Sequence, residues 1–308
     1  MPPVFSRLWS RRSRQPNAAS HNLFVMTDLK ASEQPSHRDA LALVIGNSRL
    51  HWAWVQGHRH LRYTWDTPHL NAPLTDLAQV PLPPASSKAA VNTQAAVRAW
   101  LQRSRHSASR CSNPASVVPL WIASVVPSQT QWVATYPGAR ILTLEHLPLT
   151  GLYSTLGIDR ALALLGAGTR WGFPTLVIDA GTALTVTGAN ADRHLVGGAI
   201  LPGLSLQLKA LAQQTAALPR VALPTALPPR WAQHTETAIT SGVIYGLLAT
   251  VQTFIADWQR QFPSSSLGLT GGDASHIWRY LAADNPAIAQ QVTLDPHLSF
   301  YGILALLA

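Results

Sequence analysis

Leu43-Val44-Ile45-Gly46-Asn47-Ser48 has a near copy in Leu176-Val177-Ile178-Asp179-Ala180-Gly181-Thr182, with one extra residue in the second. Each is a branched apolar run that stops at a glycine beside small amide or hydroxyl side chains. Each is followed by a second apolar run, Leu50 to Val55 and Ala183 to Thr187, so both read as β-hairpins. Third strands are expected at residues 59–64 and 194–200. An internal repeat of this length implies two similar domains.

Helices and strands alternate outward from each hairpin. The first half is expected to hold a helix over 90–104, a loop over 105–116, a strand from Val117 to Val126 ended by Pro127, and a strand over Ala139–Leu144. A helix from Asp159 to Trp171 closes it. The second half is expected to place helices near 203–215 and 236–260, a proline-containing loop over 216–230, and strands at Leu267–Leu269 and Val292–Leu294. Helices are expected at Ala274–Ala282 and Leu298–Leu307. This order predicts α/β domains with mixed sheets, one over residues 39–172 and one over 173–308, with the ligand in the cleft between them.

The bulk composition narrows the function. The 308 residues are 47% hydrophobic, enough for a sizeable core, and no run of 18 apolar residues reads as a membrane span. Cys111 is the single cysteine, which excludes an intrachain disulfide and a cysteine metal cluster and fits a cytoplasmic protein. The net charge of +9 is compatible with anionic ligands. Arg7, Arg11, Arg12 and Arg14 stand in an acid-free start, so residues 1–38 read as a disordered or over-extended tail or a transit peptide, with Met26 an alternative start. No zinc spacing, Gly-x-Ser-x-Gly elbow or Walker sequence is present.

The two turns suit phosphate, because glycine lets backbone N–H groups approach an anion closely. Either alone reads equally as a plain hairpin turn. Asp159, at a helix start, reads as a cap or as a general base toward a hydroxyl. Arg160 reads as a surface ion pair or as a clamp for a carboxylate or phosphate. Asp179, just before the second turn, either bonds the turn's N–H groups or binds a cation. Gly197 to Gly203 and Thr270-Gly271-Gly272-Asp273 are strand-to-helix turns where a ligand can approach backbone.

Together these motifs resemble the type III pantothenate kinases of the acetate/sugar kinase, Hsp70 and actin superfamily. The resemblance runs from about residue 41 to the end. It is carried by Ile45 to Ser48, Ser124-Val125-Val126-Pro127, Gly157-Ile158-Asp159-Arg160, Asp179 to Ala183, Gly198 to Gly203 and Thr235 to Gly242. It implies duplicated ribonuclease H-like (actin-like ATPase) domains and transfer of the ATP γ-phosphate to the 4′-hydroxyl of pantothenate. It implies Asp159 as catalytic base. It also implies ATP contacts from Ile45, Gly46, Asn47, Ser48, Arg49, Gly181 and Thr182, and pantothenate contacts from Tyr153, Gly157, Ile158, Asp159, Arg160 and Thr235. Asp179 becomes the ligand of a monovalent cation, K+ or ammonium. Mg2+ accompanies ATP, and a homodimer without membrane or nucleic-acid partners is implied.

The sequence departs from the family pattern twice. Val44 stands where the first turn usually begins with Asp, so a carboxylate expected near Mg2+ is missing. Thr150 stands at the family's tyrosine position, with Tyr153 nearby. Two other readings compete: a non-catalytic regulator or nucleic-acid binder on the same fold, and a kinase for another small hydroxylated acid.

Overall fold

The computed structural model describes residues 39–57, 59–82, 88–110 and 117–307. The readings for residues 1–38 and for Cys111 lie outside them.

The first sheet begins with β1 (Ala40–Ile45), β2 (Leu50–Gln56) and β3 (His60–Thr67), an antiparallel meander. It continues on the other edge with β4 (Leu120–Ser124) and β5 (Ala139–Ile141), both parallel to β1, in the order β3-β2-β1-β4-β5. The second sheet repeats the plan with β6 (Thr175–Ala180), β7 (Ala183–Ala189), β8 (Leu195–Pro202), β9 (Ser266–Thr270) and β10 (Val292–Leu294), in the order β8-β7-β6-β9-β10. The duplication read from the sequence is therefore a duplication of topology, and the fold is a duplicated ribonuclease H-like α/β fold.

Side-chain alternation sorts the layers. On β1, Leu41, Leu43 and Ile45 face outward with Trp52, Val97 and Trp100, toward α1 (Lys88–Arg110) and α2 (Pro127–Val133). Ala40, Ala42 and Val44 face inward, toward α3 (Ile158–Trp171) and α8 (Leu298–Leu307). On β6 the outward residues Leu176 and Ile178 pack with α4 (Leu204–Gln214), α5 (Thr235–Gln261) and α6 (Ala274–Asp284), while Val177 joins the α3–α8 layer. A short α7 (Pro286–Ala289) follows α6.

The inward face of the first sheet is built from small residues, which lets the central helices come close. Those helices also touch one another through glycine. A Cβ on Gly166 would sit 2.0 Å from the Leu298 carbonyl oxygen, and one on Gly302 would sit 2.1 Å from that of Leu162. Leu162, Leu164 and Ile303 are fully buried in this layer, each contributing about 1.5–3 kcal/mol by burial.

Several expected boundaries are corrected. The strand expected over Val117–Val126 is only Leu120–Ser124, and Pro127 opens α2 instead of ending a strand. Proline suits that first helical position because its missing N–H would have no partner there. The helix expected over 90–104 runs from Lys88 to Arg110, taking up part of the expected loop. The strand expected over Ala139–Leu144 stops at Ile141, and a 3-10 turn covers Leu144–His146. Among the described helices, α5 is long and apolar enough to cross a bilayer, but its Ile239, Ile244, Leu247, Val251 and Ile255 are buried in the second core.

Candidate active site

The two glycine turns meet. Ser48 Oγ and Thr182 Oγ1 lie 2.7 Å apart, although 134 residues separate them. Each turn follows a central strand, β1 or β6, and the matching strand order brings both turns to the same end of the molecule's central layer. The first turn is closed by Gly46 N–H donating to the Arg49 carbonyl at 3.1 Å, and His69 Nε2 donates to the Gly46 carbonyl at 2.9 Å. The second turn is tied to the end of β8 by Gly203 N–H donating to the Thr182 carbonyl at 2.9 Å. Asn47, Ser48, Arg49 and Thr182 are exposed, Gly46 and Gly181 are partly exposed, and Ile45 is buried as the end of β1. Ile45 supports the turn from the core, and the others are open to a ligand.

Asp179 stands two residues before Gly181, and the Asp159 charge acts on it. Asp179 is half-buried on the inward side of β6, and among the described residues nothing donates a hydrogen bond to its carboxyl. Burial, and then the charge of Asp159, push its pKa up to about 6 against the pull of His51 and Arg160. Gly271, at φ +96°, is required beside it, since a Cβ there would stand 2.4 Å from Asp179 Oδ1. A desolvated carboxylate without donors suits a bound cation.

Asp159 sits in the first turn of α3 after the Gly157 cap. Its Oδ1 accepts the Arg160 backbone N–H at 2.8 Å. Burial raises its pKa above the ordinary carboxylate range, partly offset by that N–H, by the Arg160 charge and by its own N–H. A carboxylate with enhanced proton affinity is suited to general-base work.

Arg160 is buried, and its guanidinium is held entirely by neutral acceptors. Nε donates to Thr187 Oγ1 at 3.0 Å, Nη1 to the Tyr153 hydroxyl at 3.0 Å, and Nη2 to the Val186 carbonyl at 3.3 Å. No carboxylate among the described residues lies within ion-pair distance of it, so the surface ion pair considered for it is not what this structure contains. A fixed, buried cation with no carboxylate in direct contact favours an anionic ligand. Tyr153, half-exposed, is tied to it directly.

Most of the expected site residues therefore come together: the two turns, Asp159, Asp179, Arg160 with Tyr153, and Gly157 and Ile158 at the start of α3. Thr235 does not join them by any hydrogen bond; it is exposed at the first position of α5. Sequence reading missed Thr187, which lies 27 residues from Arg160 and reaches it through the β6–β7 hairpin. It also missed His51, Asp66 and His69 around the first turn. The signal for His51 was present, as one ionisable side chain inside the apolar run of β2.

Comparison with known proteins gives the family. Residues 40–257 match the family model for type III pantothenate kinase. The chain is 45% identical over 271 residues to a type III pantothenate kinase of Nostoc sp. strain PCC 7120, covering 87% of this chain and 94% of the relative. It is 41% identical over 279 residues to that of Synechocystis sp. strain PCC 6803, covering 90% and 93%. Among solved structures, a Baf family protein from Campylobacter jejuni superposes with a TM-score of 0.52 at 18% identity, covering 86% of this chain and 96% of that one, which supports the fold. On the family match and these relatives, the chain belongs to the type III pantothenate kinase family.

Proposed function

We propose that this chain phosphorylates pantothenate at its 4′-hydroxyl with ATP, the first step toward coenzyme A. The observation that carries the reading is the contact between Ser48 and Thr182, which joins both phosphate-type turns beside the Asp159–Asp179 pair. Phosphoryl transfer asks mainly for positioning and charge neutralisation, and each part of the site has one of these tasks.

The backbone of the Gly46 and Gly181 turns, with Asn47, Ser48, Arg49 and Thr182, holds the ATP phosphates. Asp159 takes the proton of the attacking hydroxyl, a role its raised proton affinity favours. Arg160, oriented by Tyr153, Thr187 and Val186, receives the substrate's carboxylate. Gly157 and Ile158 shape the approach to Asp159, and Thr235 adds a further substrate contact. Asp179 holds K+ or ammonium. The described residues contain no group of three or more His, Cys, Asp or Glu that could cage a metal ion. Mg2+ would therefore enter on the triphosphate, where it neutralises phosphate charge.

Residues 39–172 and 173–308 form the two domains in this reading, and the working form is a cytoplasmic homodimer with no membrane or nucleic-acid partner. A non-catalytic regulator is not favoured, because such a role has no use for a paired base and cation carboxylate beside two phosphate turns.

ADP release and 4′-phosphopantothenate formation, followed with and without pantothenate, test the proposal. Asp159→Asn is expected to lower kcat by about 10²–10⁴-fold while leaving nucleotide binding intact. ATP consumption that ignores pantothenate, or an Asn variant with full turnover, overturns it.

A further inference from the structure

β2 reads Leu50-His51-Trp52-Ala53-Trp54-Val55. Leu50 and Trp52 point outward into the α1 core, which sends His51 inward, opposite Val44 on β1 and Asp66 on β3. Its ring is fixed at one end, where Nδ1 lies 2.7 Å from Asp66 Oδ1. The other end faces the first turn, and a methyl group built on Gly46 would stand 3.7 Å from His51 Nε2. Among the described residues nothing bonds Nε2, and the side chain is 39% exposed.

The charges around the ring agree. Burial opposes ionisation of Asp66, yet the His51 hydrogen bond and the His51, Arg49 and His297 charges hold its carboxyl below the ordinary range. The carboxylate stays available to orient the imidazole. His51 also acts electrostatically on Asp179, in the direction that lowers its pKa.

We propose that His51 is a phosphate-contacting residue of the nucleotide site, its ring oriented by Asp66, and that it supplies from β2 the polar group that position 44 lacks on β1. The proposal deepens the kinase reading and rests on it. With Val44 in place of an acid, the first turn has no carboxylate on β1 to attract a metal ion. It has instead an imidazole nitrogen backed by a carboxylate, and the Arg49 guanidinium 4.0 Å from that same carboxylate. Such an arrangement offers a charge-assisted donor to a polyanion. The rival role, a divalent-metal ligand through an unprotonated Nε2, fits Mg2+ poorly because that ion prefers oxygen.

The experiment measures equilibrium binding of a fluorescent ATP analogue, KM for ATP, KM for pantothenate and melting temperature for four proteins: wild type, His51→Ala, His51→Lys and Asp66→Asn. His51→Ala is expected to weaken nucleotide binding and raise KM for ATP at least about tenfold, with KM for pantothenate unchanged. His51→Lys is expected to keep most of the affinity, because an ammonium also contacts phosphate. Asp66→Asn should fall between. Unchanged nucleotide affinity in His51→Ala overturns the proposal, as does a Lys variant as weak as Ala whose binding Mn2+ restores. A wild type that binds ATP through His51 but leaves pantothenate unphosphorylated sinks the functional reading and leaves this one standing.

Discussion

The turn at Gly46 and the turn at Gly181 occupy the same place in two copies of one sheet, yet their chemistry is distributed differently. In the second copy Asp179 stands two residues before the glycine, flanked across the sheet by Thr185 and Thr270. In the first copy Val44 takes that place, flanked by His51 and Ala123. The acid has not vanished from the first sheet. Asp66 lies two strands away, linked back to the turn through His51. A duplicated backbone thus repeats the position of a glycine turn, while the inward-facing side chains beside it differ, a carboxylate in one copy and an imidazole backed by a carboxylate in the other.

The largest effect should come from removing the acid of the second turn. Asp179→Asn is expected to lower turnover by about 100-fold or more, because an electrostatic contribution to phosphoryl transfer is lost. It should also stabilise the protein. A carboxyl raised to about 6 in the folded state, against about 3.9 unfolded, makes the native protein lose stability as pH rises from near 4 through 6. The Asn variant carries no such penalty. In buffer free of K+ and ammonium, its gain should reach about 1–3 kcal/mol at pH 8, fade as pH falls through 6 and disappear near pH 4. Thermal unfolding across that range is the measurement. No gain at pH 8 would mean that Asp179 is not a desolvated acid, and the contrast between the turns would collapse.

Val44→Asp makes the first turn like the second. Val44 is 6% exposed and packs in the α3–α8 layer, so a carboxylate there should cost about 1–3 kcal/mol of stability. It would also compete with Asp66 for His51. The expected result is a lower melting temperature and no rise in kcat. A variant with higher kcat would show that valine is a deficiency of this chain and that His51 does not compensate for it.

Both hairpins, both glycine turns and the residues Asp159 to Trp171 of the central helix were legible in the sequence, because apolar alternation and turn chemistry are local. So was the pairing of Asp159 with Asp179, though only through resemblance to a family. What was not legible depends on distant partners. The helix after Pro127 has seven residues, too few for periodicity, and its proline reads equally as a stop or a start. The β7 part of the neutral cradle of Arg160, Val186 and Thr187, is announced by no spacing in the sequence. His51 looked like one polar interruption in a strand. Only the register, which sets Val44, His51 and Asp66 side by side, gives it a place beside the first turn.

The smallest effect should come from the contact that joins the turns. Ser48 and Thr182 share a hydrogen bond between exposed hydroxyls, and water replaces either partner at little cost. Ser48→Ala and Thr182→Ala should each change stability by less than about 0.5 kcal/mol, and a double-mutant cycle should give a coupling below about 1 kcal/mol. Each should nevertheless raise KM for ATP severalfold, because both hydroxyls are free to turn from one another to a phosphate when the nucleotide enters. A coupling of several kcal/mol without nucleotide would make the contact a structural tie between the two halves. The two turns would then be held together before ATP arrives, instead of being drawn together by it.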